Sequence, residues 1–180
     1  MKVVKDNKQT KKRNDQIEKG LQSSNSTEIL RAIKMLRKDG RAEHITLIIQ
    51  ALNKSESDEV SNEIIKFLND LKIDLALPPI IEALNNEELE SVHVFLLQAI
   101  WNSRLDATPY LEDLVNLATK SDYLTCLEVL TIVENLPTRP EDEVIAALNT
   151  QLKDAVIDNE ESRNLLLSMI EVLNDHMIGG

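Results

Sequence analysis

Apolar residues recur along most of this chain at the i, i+3, i+4, i+7 spacing that marks one buried face of a helix. Over Ala42–Asn53 the stripe is Ile45, Ile48, Ile49 and Leu52; over Asp74–Asn85 it is Leu77, Ile80, Ile81 and Leu84; over Thr108–Thr119 it is Leu111, Leu114, Val115 and Ala118. The copies are offset by 32 and then 34 residues, and the words echo: Ile48-Ile49-Gln50-Ala51-Leu52-Asn53 against Ile80-Ile81-Glu82-Ala83-Leu84-Asn85. A looser fourth copy, Glu141–Asp154, keeps Val144, Ala147 and Leu148 but has Gln151 where an apolar residue is expected. After each stripe come a polar break and a second apolar segment: Ser57–Leu71, Glu88–Asn102, Ser121–Leu136 and Asn159–Asp175. Within Asp74–Arg104 the second segment is apolar on most of its circumference, as in a helix covered on several sides.

Start and stop signals agree with this division. Ser57, Ser121 and Asn159 are N-cap types, each followed by acidic residues that suit a helix N-terminus. A leading stripe of Ile29, Leu30, Ile33 and Leu36 starts at Ser26 or Thr27 and stops at Gly40, after Arg37 and Lys38. Pro109 falls near N1, where proline is tolerated, whereas Pro79 lies deeper and predicts a kink. Pro137 and Pro140 bracket an inter-repeat loop. The prediction is an all-α chain of about nine helices, four helix pairs plus one leading helix, preceded by a flexible basic tail over residues 1–25. A fixed period of this size is the signature of an α-solenoid, whose units need their neighbours to bury their apolar faces.

A first helix with proline and an Ile-Ile-x-Ala-Leu ending, a short Asn/acidic turn and a long Leu/Val/Ile/Ala second helix resembles a HEAT repeat. The short period resembles the compact bacterial versions. The resemblance covers four repeats at 41–72, 73–104, 105–138 and 139–176. Residues 26–38 then resemble the second helix of a truncated leading repeat, acting as a cap for a domain over 26–176, with 177–180 as a frayed end. The valine–arginine pair common at the start of a HEAT second helix is absent. Tetratricopeptide repeats share the period but want a Trp, Gly and Tyr in the first helix, and no repeat here has that set; armadillo repeats are longer and three-helical. The resemblance implies a short right-handed superhelix whose second helices line a concave face.

Composition narrows the function classes. Aromatic residues are 3% of the chain and glycines number four, so the core is aliphatic and there is little material for phosphate-cradling loops. The net charge of −11 is uneven: residues 1–20 hold seven Lys/Arg against three Asp/Glu, and the remainder is strongly acidic. An acidic body is repelled by nucleic acid and by anionic membranes. No stretch approaches the roughly 18 apolar residues of a membrane span, and the basic start lacks the apolar run of a secretory signal. The expectation is a soluble cytoplasmic protein with no nucleic-acid or membrane partner. The single cysteine, Cys126, reads as a buried small hydrophobe. Glu90-x-x-His93 has the spacing of half a di-iron site, but the other half is missing. No nucleophile elbow, Walker-type loop or calcium loop exists, so no catalytic residue, metal or cofactor is expected.

Aligning Ile64, Leu96, Leu130 and Leu166 as equivalent core positions brings three columns into register. One is Lys66, Gln98, Ile132 and Ser168; the next is Asn69, Trp101, Asn135 and Glu171; the third is Asn62, Val94, Glu128 and Asn164. Trp101 is the only tryptophan and stands among polar equivalents. Interface anchors are enriched in tryptophan. The candidate surface is therefore Trp101 with Gln98, Val94, Ile132, Lys66, Asn69, Glu128 and Asn135, against the plainer reading that Trp101 fills a gap between repeats. The function expected is a non-enzymatic scaffold or adaptor binding a protein or peptide. The alternatives are a HEAT-like enzyme or enzyme subunit, of DNA glycosylase or bilin lyase type, and a self-associating structural protein.

Overall fold

The computed structural model describes residues 8–39 and 41–178, and every regular element among them is helical. Ten α-helices are present among these residues: α1 Lys8–Leu21, α2 Ser26–Asp39, α3 Ile45–Lys54, α4 Asp58–Asn69, α5 Leu77–Leu84, α6 His93–Asn102, α7 Leu111–Ala118, α8 Tyr123–Glu134, α9 Asp142–Asp158 and α10 Arg163–Ile178. The all-α prediction therefore stands, with one helix more than expected. Gly40, read as the stop of the leading helix, and Gly179-Gly180 lie outside the described residues.

The extra helix is α1. A flexible tail with a short helical piece near Asp15–Gln22 is the expectation for residues 1–25; the helix found there is longer, Lys8–Leu21. Asn14, Ile17 and Leu21, at i, i+3 and i+7, form its buried stripe, with Ile17 wholly enclosed. Polar residues outnumber apolar ones in α1, so the sequence indicates its C-terminal half but neither its full length nor its burial. Gly20 lets α1 lie close to α2: a Cβ at Gly20 would stand 2.7 Å from the Cβ of Ala32. The Asn14 amide also donates to Glu43 Oε1 at 3.5 Å.

Three of the predicted first helices divide in two. Ala42–His44, Asp74–Ala76 and Thr108–Tyr110 are single 3₁₀ turns, and α3, α5 and α7 begin directly after them. Proline accounts for the break at α5. Pro78 and Pro79 fall in its first turn, whose N–H groups have no acceptor within the helix, so neither ring removes a hydrogen bond. The kink expected at Pro79 is thereby replaced by a later start. The segment expected as one helix from Glu88 likewise opens with a 3₁₀ stretch, Glu87–Val92, capped by the Asn86 side chain, which accepts from Glu88 N–H at 3.0 Å. At α8 the cap is Asp122 and not Ser121; its carboxylate accepts from Thr125 N–H at 2.8 Å, and this bond holds the Asp122 pKa below the usual carboxylate range.

The chain divides into two compact units between Leu68 and Asn69, where one repeat domain over 26–176 was expected. In the first unit α1 packs on α2 and α3 around Ile17, Ile33, Ile48, Ile49 and Ile64, all at most 1% exposed. Full burial of each such side chain is worth about 1.5–3 kcal/mol. In the second unit α5 pairs with α6, α7 with α8 and α9 with α10. The second members also touch in series, α6 with α8 and α8 with α10, as do the first members, α5 with α7 and α7 with α9. Two rows of three helices result. Helix α6, with Leu96, Leu97, Ala99 and Ile100 at 0% exposure, is built into this stack, as its apolar circumference predicts.

Candidate functional site

The two rows fix what can lie at the surface of the second unit. Helix α8 is backed by α7 and flanked by α6 and α10. Its buried face includes Cys126, Val129, Leu130, Ile132 and Val133, and Glu128 stands off that face, toward α6. Glu128 is half-buried and accepts two hydrogen bonds from α6, one per oxygen: Gln98 Nε2 donates to Oε1 at 2.8 Å and Trp101 Nε1 donates to Oε2 at 2.8 Å. Gln98 and Trp101 stand three residues apart, one turn of α6, so both reach the same carboxylate. Three of the candidate residues thus form one connected group across the α6–α8 seam.

Trp101 itself is half-buried. Its N–H is committed to Glu128, and its ring lines a pocket of about 500 Å³ together with Arg104, Leu105, Ile132, Asn135 and Pro137. It therefore holds two helices together and also presents ring surface to a cavity. Ile132, predicted as a surface residue, is 3% exposed and belongs to the core beneath that pocket. Asn135 is exposed and ends α8, with its amide donating to Thr131 O at 2.8 Å. Val94 is half-buried on α6. Lys66 and Asn69 stand on α4, Lys66 in the first unit and Asn69 as the first residue of the second. Lys66 pairs with Glu63 at 2.9 Å, an exposed i, i+3 ion pair of little energetic weight. Asn69 has its Oδ1 shut off from solvent without a hydrogen-bond partner.

One residue at this site was invisible in the sequence. Arg104 has φ 54°, a left-handed conformation that favours glycine. It ends α6 through Leu105 N–H donating to Ile100 O at 3.2 Å, the bond that closes a Schellman turn. Nothing in Asn102-Ser103-Arg104-Leu105 announces it, because glycine, the usual signal, is absent. The resulting turn carries the arginine to the rim of the Trp101 pocket.

The other candidate chemistry resolves into structure. Cys126 is fully buried, and burial pushes its thiol up to about 11, out of the range in which a thiolate nucleophile forms at neutral pH. The ring Nε2 of His93, buried, lies 3.2 Å from Ala83 O, a bond from α6 back to α5. His44 is 1% exposed; its Nδ1 accepts from the backbone N–H of Arg41 at 3.1 Å, which fixes the proton on Nε2 in the neutral ring. Burial lowers the His44 pKa, against an opposing pull from Glu43 and Glu18. Among the described residues no three His, Cys, Asp or Glu side chains gather as a metal site would need. No described helix is long and apolar enough to cross a membrane. No protein-family model, curated protein or solved structure matches this chain.

Proposed function

We propose that this chain is a non-enzymatic protein-binding module of HEAT-like type, a scaffold or adaptor that holds a protein or peptide along its second helices. The observation that carries the reading is the Trp101–Glu128–Gln98 group: an aromatic ring locked in orientation by its own N–H bond while part of it still faces a pocket. A ring held this way loses little entropy on binding, the property that makes fixed aromatic residues good anchors. The serial pairing of α5/α7/α9 and α6/α8/α10 supports a solenoid arrangement of helix pairs. In that arrangement, of right-handed superhelical sense, the second helices form the concave, ligand-facing side. Rigid presentation of a curved surface is then the mechanism, and no bond is made or broken.

Two measurements test this. Acrylamide quenching of the single tryptophan in the free protein is expected to reach an intermediate constant, between an enclosed and a free indole. Affinity capture from native lysate should lose a specific band when Trp101→Ala and Gln98→Ala are combined, with circular dichroism unchanged. A fully shielded tryptophan together with an unchanged capture profile would remove the site.

A further inference from the structure

Helix α8 carries apolar residues all round: Tyr123, Leu124, Cys126, Leu127, Val129, Leu130, Ile132 and Val133. Helices of that kind are covered on every side. Yet Tyr123 is 42%, Leu124 57% and Leu127 37% exposed. The three lie within five consecutive residues, so they form one contiguous strip and not scattered surface leucines, which would need no explanation.

Carboxylates outnumber cations in the unit that carries the strip. The second unit, from Asn69 onward, holds 21 Asp/Glu against six Lys/Arg, whereas the first holds 10 against 14. Leu124 stands six residues before Leu130; the residues six before Leu96 and Leu166, on the flanking chain segments, are Glu90 and Glu160, both exposed, while the register of Leu127 carries buried His93 and exposed Arg163. Exposed Asp122 precedes the strip, and exposed Glu134 ends α8 two turns beyond it. An apolar strip framed by carboxylates has the complement of a helix with leucine-type residues on one face and lysine or arginine on its flanks.

We propose that the Tyr123–Leu124–Leu127 strip of α8 docks a basic amphipathic helical segment of a partner protein, its apolar face on the leucines and its cations on the surrounding carboxylates. This rests on the protein-binding reading above and gives the partner its chemistry. A cationic helix gains from both terms at once, whereas an acidic segment meets a like-charged field, which costs association rate and affinity.

The probe is a tryptophan-free peptide of about 14 residues built from leucine and lysine, with leucines at the one-face helical spacing. It is titrated into the full chain while Trp101 fluorescence and calorimetric heat are read. A scrambled peptide of the same composition and a leucine–glutamate peptide of the same pattern serve as comparisons. The patterned lysine peptide should bind, more weakly as salt is raised, and the other two should bind at least about tenfold more weakly. Leu124→Ser with Leu127→Ser should lower its affinity at least about tenfold while leaving the circular dichroism unchanged and lowering Tm by only a few degrees, since Leu124 is mostly and Leu127 partly exposed. Equal affinity of the double variant and the wild type would overturn the proposal, as would equal binding of the scrambled peptide. So would a wild type that light scattering finds dimeric and a double variant that it finds monomeric, because a second copy would then be what covers the strip. A peptide whose affinity falls with Glu128→Gln but not with the leucine changes would leave the binding-module reading standing and remove this one. Loss with the leucine changes alone, beside an unaltered capture profile for Trp101→Ala plus Gln98→Ala, would uphold the strip and remove Trp101 as the anchor.

Discussion

Replacing Glu128 by alanine removes in one step the acceptor of two hydrogen bonds that link α6 to α8. A hydrogen bond to a charged acceptor contributes about 1.5–3 kcal/mol, so the pair sets a ceiling of about 6 kcal/mol. Glu128, Gln98 and Trp101 are all half-buried, and water reaches part of what the carboxylate abandons. The expected loss is therefore about 2 kcal/mol, which for a chain of this length lowers Tm by about 4–8 °C. Apolar packing changes little, because the removed atoms are mostly the carboxylate. The assay is urea unfolding followed by circular dichroism, with Trp101 fluorescence as a second probe within the same unit. A cycle with Trp101→Phe isolates the indole bond: the coupling between the two changes should be about 1 kcal/mol. Glu128→Gln, which keeps one acceptor oxygen, should lose less than Glu128→Ala. A loss under about 0.5 kcal/mol with no coupling would refute the reasoning, since two bonds of 2.8 Å would then be worth no more than their exchange with water.

Three further outcomes follow from the packing. Gly20→Ala should destabilise by about 1–3 kcal/mol, because the new Cβ would meet Ala32 Cβ at 2.7 Å and this outweighs the roughly 1 kcal/mol gain in helix propensity; a thermal melt shifted upwards would show that α1 can move away at no cost. His44 should make stability fall in acid: burial lowers its folded pKa below the unfolded value of 6.5, so the unfolded chain takes the proton first and the contribution present above about pH 6.5 is lost as pH falls through the folded pKa. His44→Asn, which can still accept from Arg41 N–H, should show a shallower decline from pH 7 to pH 5 in denaturant titrations, and parallel curves would rule the histidine out. Arg104→Gly should stabilise by about 1 kcal/mol by relieving the left-handed backbone, read from the urea midpoint; a loss of stability would mean that the arginine side chain outweighs the strain.

The sequence by itself determined that this chain is helical, and roughly where. Long runs at helical spacing mark helices and a near absence of glycine leaves little material for hairpin turns; α4 and α8 form within two residues of their predicted bounds, whereas α6 and α10 start later, at His93 and Arg163. It also determined that Gln98, Trp101 and Glu128 belonged among the candidates, because the aligned cores put them on neighbouring columns. Periodicity is a local property, written within a turn or two of helix, which is why it can be read without coordinates. Only the tertiary structure decided the rest. The three-residue stripe of α1 is too short a signal to give the helix its full length, and its burial depends on Gly20 meeting Ala32 across a helix pair. The 3₁₀ breaks before α3, α5 and α7 leave the apolar pattern intact, so the pattern could not reveal them. Ile132 went inward and Leu124 outward although both are aliphatic on the same helix, because the faces of α8 are assigned by α6, α7 and α10 and not by composition. The two oxygens of Glu128 meet donors 27 and 30 residues away, a choice that exists only once α6 and α8 lie side by side.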